Sequence, residues 1–358
     1  MHLNISRVPP LLGKPVEGRT SGITGFVYSN VRLVNRGLRD SLDAILAQLS
    51  AAERGDPSPA GREVWLAALN GVLGDYLVAS ENPLALSMCF RHEARALELE
   101  TSGLAAALPH ARGKVLVVVH GLCMSDLHWT RNGHDHAAAL ARDLGYTPLY
   151  VRYNSGRHVS TNGRELAEML ETLIARWPVP VEELLILGHS MGGLVTRSAC
   201  HYGEAAGHGW LRRLRKVVFL GTPHHGAPLE RGGNWLESLI AMSPYSAPLA
   251  RLPMLRSAGV TDLRYGSVVE DDWQDRDRFE RSPDARRVVP LPAGVECYAV
   301  AATLGGREGD LKDRLLGDGL VPLRSALGQH PETERTLRFT ESYTCYGTNH
   351  LALLDSRE

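Results

Sequence analysis

The stretch from Leu184 to Gly193, LLILGHSMGG, constrains the fold of this chain most strongly. Its first four residues are apolar, as in a strand buried on both faces, and the residues from Met191 onward can continue as a helix. Gly188 and Gly192 flank Ser190 in the pattern G-x-S-x-G. Because these two glycines have no side chains, a strand and a helix can approach closely around a sharp turn. We therefore predict that Ser190 lies on a strained turn between a strand and a helix.

Strand-like and helix-like segments alternate on both sides of this turn. That alternation predicts an α/β fold with a mostly parallel central sheet and helices on both faces, whose ligand site lies at the carboxyl ends of the strands. The predicted strands are Gly113–Gly121, Thr147–Asn154, Glu183–Gly188, Lys216–Pro223, Val295–Ala302 and Arg335–Glu341, and helices are predicted at Thr161–Trp177 and from Met191.

The first hundred residues have a different pattern. Apolar residues recur every three or four positions in Val31–Leu49 and in Gly61–Val78, which is typical of amphipathic helices, and a segment with two prolines and two glycines separates them. We predict an N-terminal helical extension over residues 1–110 and a second domain over residues 111–358.

A serine hydroxyl becomes a nucleophile at neutral pH only with a histidine base that a carboxylate orients. In sheets of this kind the chain order is Ser, then Asp or Glu, then His, on loops after successive strands. The loop after the fifth predicted strand offers Glu308, Asp310, Asp313 and Asp318. Asp318, between two glycines in GDGLVP, is the expected acid, and Asp310 and Asp313 are interpreted as solvated charges on a polar loop. His350 is the only histidine after the last predicted strand and is the expected base.

The same chemistry needs backbone N–H groups that stabilise an oxyanion. One is expected from the residue after the serine, Met191, and the other from the loop after the first parallel strand, where Leu122 is the candidate. His120, in the same loop, could be mistaken for a base. We interpret it as a structural residue that fixes the loop by hydrogen bonding.

The composition excludes several other classes of protein. With 39 Lys+Arg against 40 Asp+Glu, the formal charge of -1 gives no reason to expect nucleic acid or an anionic membrane as a partner. The five cysteines form no CxxC pair, so neither a disulfide framework nor a structural zinc site is expected. We find no signal-peptide pattern and no apolar run long enough for a membrane span, and we therefore expect a soluble, cytoplasmic protein.

With these residues in place, the sequence resembles the α/β-hydrolase superfamily, and within it the lipase and PGAP1-like branch of serine esterases. The blocks that carry the resemblance are VVVHGL, GHSMGG, FLGTPHHGAP, GDGLVP and NHLALL, in that order, and they span Gly113 to the C-terminus. The resemblance implies hydrolysis of carboxylic esters through an acyl-enzyme, with Ser190 as nucleophile, His350 as base, Asp318 as orienting acid and no cofactor. The implied partner is a small-molecule or polymeric ester, including polyesters if the cleft is open.

Two features leave alternatives. His224 and His225, and the run His134–His136, carry possible metal ligands, but no third and fourth ligand follows at a plausible spacing, so we predict no metal. The insertion over residues 227–292 contains an apolar helical face around Trp235–Met242, which either covers the site as a lid or packs on the core.

The same three residues would also serve a thioesterase, an amidase or an acyltransferase. A non-catalytic binding protein of the same fold would not need all three.

Overall fold

The computed structural model describes residues 59–227, 257–274, 286–310 and 317–356. They belong to one compact unit, Ser58–Glu358. The helix predicted at Val31–Leu49 lies outside the described residues. None of the described helices combines the length and the apolar character that crossing a membrane requires.

Among the described residues, eight strands form one sheet in the order β2-β1-β4-β3-β5-β6-β7-β8. Strands β3 to β8 pair in parallel, whereas β1 pairs antiparallel with both β2 and β4. The strands are β1 Cys89–His92, β2 Arg95–Ala96, β3 Lys114–Val119, β4 Thr147–Arg152, β5 Glu183–His189, β6 Leu214–Leu220, β7 Glu296–Thr303 and β8 Glu341–Tyr346.

Helices connect most of the parallel strands. They are α1 Pro59–Ala79, α2 Thr101–Ala107, α3 His136–Leu144, α4 Val159–Arg176, α5 Met191–Ala205, α6 Ala258–Tyr265 and α7 Leu323–Ala326.

The chain reverses its direction across the sheet beside β3. It steps from β3 to β4 on one side and then from β4 over β3 to β5 and on to β6 on the other side. Because crossover connections are right-handed, α3 lies on one face of the sheet and α4 and α5 lie on the opposite face. The reversal makes the carboxyl ends of β3 and β5 the expected place for a site.

The central strands of the sheet are buried on both faces, which explains why their sequences are continuous apolar runs. All five residues from Val115 to Val119 in β3 are 0% exposed, because helices cover both faces. The predicted mostly parallel sheet is confirmed, and the first five predicted strands lie within a few residues of β3, β4, β5, β6 and β7.

The last predicted strand, Arg335–Glu341, is wrong. Leu337 and Phe339 alternate with polar residues as they would in a half-buried strand, but this segment instead lies along the turn at Gly328, whose carbonyl accepts a hydrogen bond from the Leu337 N–H at 2.9 Å. Pairing with β7 begins at Glu341. β8 is an edge strand with mostly exposed side chains, which is why its sequence carries little apolar signal.

Residues 59–110, the described part of the predicted N-terminal unit, contain helices and two short strands. A helix is present where Gly61–Val78 predicts one, but α1 is buried on nearly all sides between Ala67 and Gly74 instead of on one stripe. The short strands β1 and β2 add to the sheet before residue 110. Two- and four-residue strands are too short to show a period, so the sequence did not reveal them.

Candidate active site

Ser190 lies between β5 and α5, as predicted, with φ 54° and ψ −123°. A positive φ at a residue with a side chain is strained, and it persists only where the surroundings fix it. Part of that fixation is a 2.8 Å hydrogen bond from the Ser190 N–H to the carbonyl of Leu220, the last residue of β6. The side chain is held at the carboxyl edge of the sheet, and the residue is only 7% exposed.

The glycines around the serine are required by close backbone approach. A Cβ on Gly192 would lie 2.1 Å from the carbonyl oxygen of Val119, and one on Gly188 would lie 2.7 Å from the Cα of Gly193. Real Cβ contacts are not this short. Any side chain at these two positions would push α5 away from the ends of β3 and β5.

Asp318 and His350, far apart in the chain, are brought together. His350 Nδ1 lies 2.6 Å from Asp318 Oδ2, and both residues are 2% exposed. The other carboxylate oxygen, Asp318 Oδ1, accepts hydrogen bonds from the N–H groups of Leu320 at 2.9 Å and Val321 at 2.7 Å. The carboxylate is therefore held by backbone groups and directs one oxygen at the imidazole.

The local backbone explains the glycines beside Asp318. Gly317 has φ 56°, and a Cβ there would meet the Val321 carbonyl oxygen at 2.0 Å. Gly319 has φ 95°, which also favours glycine. Of the alternative acids, Asp310 is within hydrogen-bond distance of the Gly306 N–H at 3.4 Å, and Asp313 lies outside the described residues.

The imidazole of His350 lies beside the serine turn. A Cβ on Gly221, next to the Leu220 carbonyl that Ser190 contacts, would be 3.1 Å from His350 Cε1. His350 Nε2 is buried and has no hydrogen-bond partner among the described residues. The described part of the chain shows no direct hydrogen bond from Ser190 Oγ to this nitrogen, and such contacts often tighten only when substrate binds.

His189 is a site residue that the sequence reasoning missed. Its Nε2–H donates to the backbone carbonyl of His350 at 3.2 Å, and the two rings lie 4.8 Å apart, centroid to centroid. Burial holds the pKa of His189 well below its usual range, so the ring is neutral at pH 7. Its place directly before Ser190 was the only available signal.

The turn after β3 packs directly on the serine. A Cβ on Gly121 would lie 3.1 Å from the Ser190 Cβ, and the next residue, Leu122, is 1% exposed. Met191 is the first residue of α5, where a helix has no carbonyl of its own to pair with the N–H. Both predicted oxyanion donors thus belong to segments that adjoin Ser190.

His120 is a structural residue of this turn. Its Nδ1–H donates to the carbonyl of Gly121 at 2.8 Å, and its ring stacks on Tyr153 at 4.3 Å. The Tyr153 hydroxyl in turn donates to the His120 carbonyl at 2.8 Å. Burial lowers the pKa of His120 to about 3, so the ring stays neutral and fixes the loop.

Helix α1 supports the same turn from behind. Cys123 has φ 59°, and its N–H donates to Ser155 Oγ at 3.1 Å. A Cβ on Gly71 of α1 would lie only 2.8 Å from both the N and the Cα of Cys123. Ser257 Oγ donates to the Gly71 carbonyl at 2.6 Å, which ties α1 to the segment before α6.

The described part of the insertion also adjoins the site. A Cβ on Gly259 of α6 would lie 2.1 Å from the Ser155 carbonyl oxygen and 3.1 Å from Cε of Met191. The apolar face at Trp235–Met242 lies outside the described residues, so the lid stays a prediction.

Asp135 and His136, which the sequence offered as possible metal ligands, have structural contacts. Asp135 caps α3 by accepting from the N–H groups of Ala137 at 2.8 Å and Ala138 at 3.1 Å, and His136 Nε2–H donates to the Leu353 carbonyl at 2.8 Å. Within residues 59–227, 257–274, 286–310 and 317–356, no three potential ligands are grouped so that they could hold a metal ion.

Several solved structures resemble this chain, among them two lipases and a thioesterase. Bacillus licheniformis lipase BlEst2 in its mature form has 20% identity and a TM-score of 0.43, covering 75% of this chain and 92% of that chain. Aspergillus fumigatus lipase B has 12% identity and a TM-score of 0.40, covering 74% of this chain and 52% of that chain, so this chain spans about half its length. YbtT, a type II thioesterase from the yersiniabactin NRPS/PKS biosynthetic pathway, has 17% identity and a TM-score of 0.40, covering 68% of this chain and 90% of that chain.

The sheet order, the crossovers and the strand–Ser190–helix turn together define an α/β-hydrolase fold. The model of the PGAP1-like alpha/beta domain matches residues 110–288, which is half of the chain, and the chain belongs to that family. A search of curated proteins gives no match.

Proposed function

We propose that this chain is a serine carboxylesterase or lipase that hydrolyses carboxylic esters through an acyl-enzyme on Ser190. The observation that carries the proposal is the meeting, at one edge of the sheet, of a strained serine turn and a buried Asp318–His350 pair joined at 2.6 Å. Each member comes from a different loop, so their convergence is a property of the fold and not of local sequence.

The hydrogen bond between the acid and the base selects the tautomer. Because the Asp318 carboxylate can only accept, the proton of a neutral His350 lies on Nδ1 and leaves the lone pair on Nε2. That nitrogen is buried and has no hydrogen-bond partner among the described residues, so its lone pair is available to take the Ser190 hydroxyl proton. Asp318 also stabilises the imidazolium that forms during the reaction.

The proposed reaction has two halves. Ser190 Oγ attacks the ester carbonyl carbon while His350 Nε2 takes the hydroxyl proton, and the N–H groups of Leu122 and Met191 donate to the oxyanion. The imidazolium then protonates the departing alcohol, which leaves the acyl group on Ser190. A water molecule, deprotonated by the same nitrogen, releases the acid and restores the serine.

The substrate class is proposed from the chemistry and not from a pocket shape. We expect an uncharged ester, and a polymeric ester such as a polyester if the cleft above Ser190 is open. The insertion over residues 227–292 would set the preferred acyl length if it forms a lid.

The test is a series of nitrophenyl esters from acetate to palmitate, with an emulsified polyester alongside, on wild type, Ser190→Ala and Ser198→Ala. Ser198 is the matched control, because it lies buried on the same helix and its hydroxyl has no partner among the described residues. We expect hydrolysis by wild type and Ser198→Ala and none by Ser190→Ala. Hydrolysis that survives Ser190→Ala contradicts the proposal, and turnover of thioesters or amides without any ester turnover assigns the alternative chemistry.

A further inference from the structure

A pocket away from Ser190 is lined by four arginines and two histidines. The basic residues that line it are Arg197, Arg286, Arg287, Arg335, His224 and His225. Arg197 lies on α5 seven residues after Ser190, which is about 10 Å along a helix that rises 1.5 Å per residue.

Arg197 is the most deeply buried of the four arginines. It is 5% exposed, its Nη2 donates to the backbone carbonyl of Val289 at 2.6 Å, and its Nη1 donates to His224 Nδ1 at 3.5 Å. Both acceptors are uncharged. No carboxylate of the described ranges lies within ion-pair distance of Arg197, and a buried cation without a counter-charge is costly.

The nearby carboxylates are engaged elsewhere. Asp271 pairs with Arg287 at 3.2 Å, and Glu332 pairs with Arg335 at 2.8 Å. Asp272 accepts hydrogen bonds from three backbone N–H groups, those of Val268, Val269 and Arg287. Asp272 attracts Arg197 through space, but no acid of the described residues forms an ion pair with this guanidinium.

Two buried donors are left over. The Arg197 Nε–H has no partner among the described residues. His224 accepts at Nδ1, so its proton lies on Nε2, which is also buried and without a partner in the same ranges. Arg286 adds a second guanidinium group, whose Nη1 donates to the carbonyls of His224 at 3.3 Å and Gly266 at 3.1 Å.

We propose that this pocket binds a phosphate-type oxyanion, with Arg197, His224 and Arg286 as its ligands. A phosphate has several acceptor oxygens and more than one negative charge, which suits guanidinium groups that converge from different segments. Desolvation, and then the neighbouring Arg286, lower the pKa of Arg197 to about 10, and an anion between these groups would relieve that crowding. The proposal does not depend on the hydrolysis chemistry at Ser190.

The test measures binding and not activity. Inorganic phosphate is titrated into the full chain by calorimetry and thermal unfolding at constant ionic strength, with chloride as the balancing salt. The variants are Arg197→Met, Arg286→Gln and, as a matched control, Arg142→Gln, whose arginine lies on exposed α3 and pairs with Asp143 at 2.7 Å. Phenyl phosphate in a parallel arm distinguishes a site for free phosphate from one for the phosphate group of a larger molecule.

We expect saturable 1:1 binding of phosphate and a rise in Tm for wild type and Arg142→Gln. Arg286→Gln and Arg197→Met should weaken the affinity at least tenfold. If Arg197→Met does not fold, Arg286→Gln decides the matter alone. The proposal is overturned if phosphate gives no more effect than chloride, or if the folded variants bind phosphate as tightly as wild type does.

Discussion

Gly71→Ala tests whether helix α1 positions the turn that carries Leu122. The added Cβ would lie 2.4 Å from Cys123 Sγ and 2.8 Å from the N and Cα of Cys123, whereas ordinary contact begins at 3.4 Å. The sulfur can rotate away, but the backbone atoms cannot. They must move by about 3.4 − 2.8 = 0.6 Å, which displaces the adjoining residue Leu122.

A displacement of this size has a calculable cost. A misplacement of about 1 Å can cost about 100-fold in rate, and loss of one oxyanion donor costs about 100- to 1,000-fold. We therefore expect kcat for a nitrophenyl ester to fall about 10- to 100-fold, or about 1.4–2.7 kcal/mol, with a smaller change in KM. The free energy of unfolding should change less than the activation free energy does. Overpacking destabilises the fold by about 1–3 kcal/mol, but the higher helix propensity of alanine over glycine offsets about 1 kcal/mol of that.

The assay is steady-state kinetics at a temperature well below Tm, with thermal unfolding of the same samples. Gly209→Ala is the matched control, since its Cβ would meet only the ends of the Glu171 and Arg212 side chains, at 3.3 Å or more. Wild-type kcat in Gly71→Ala would refute the positioning role of α1. An equal loss of kcat in Gly209→Ala would show that the effect is not specific to the turn.

Three further predictions follow from other parts of the structure. Asp318→Asn should lower kcat about 1,000- to 10,000-fold, because His350 Nδ1 loses its carboxylate, whereas Asp310→Asn should leave kcat within about twofold. A larger loss of kcat in Asp310→Asn than in Asp318→Asn would show that Asp318 is not the acid. Stability should fall as pH falls below about 6.5, the unfolded pKa of histidine, because burial lowers the folded pKa of His120 to about 3 and that of His225 to about 4, so that only the unfolded state gains these protons. The contribution of these two neutral histidines to the free energy of unfolding is complete above pH 6.5. It is lost as the pH falls toward their folded pKa values, at up to about 1.4 kcal/mol per pH unit for each histidine. A Tm that does not change between pH 7 and pH 5 would contradict this prediction. Cys123 and Cys297 should resist iodoacetamide in the native protein at pH 7.5, since burial raises the pKa of each thiol to about 12. If mass spectrometry finds both thiols modified as fast as in urea, they are accessible and the prediction is wrong.

The parts of the fold that sequence predicts well are those with strong local patterns. β3 and β5 are runs of apolar residues with both faces covered, and the glycines around Ser190 are dictated by contacts shorter than 3 Å. The order of Ser190, Asp318 and His350 was sufficient to predict that Asp318 and His350 meet, because the topology fixes which loops share an edge.

The parts that sequence missed depend on long-range packing. α1 is buried because it lies between the turn at Cys123 and the segment at Ser257, which nothing in its own residues indicates. Residues 335–339 alternate like a strand, but Leu337 and Phe339 lie against the Gly328 turn, and β8 pairs with β7 only from Glu341 onward. The contact of His189 with the His350 carbonyl joins residues 161 positions apart and leaves no local trace.

The acyl-enzyme at Ser190 is the central claim, and covalent labelling tests it most directly. Wild type, His350→Ala and Ser198→Ala are treated with a nitrophenyl dialkyl phosphate, a reagent that phosphorylates activated serines, and are then mapped by peptide mass spectrometry. We predict one adduct, on Ser190, at equal rates in wild type and Ser198→Ala and slowed by several orders of magnitude in His350→Ala. An adduct on another residue, or labelling of Ser190 that is unaffected by His350→Ala, would contradict the account.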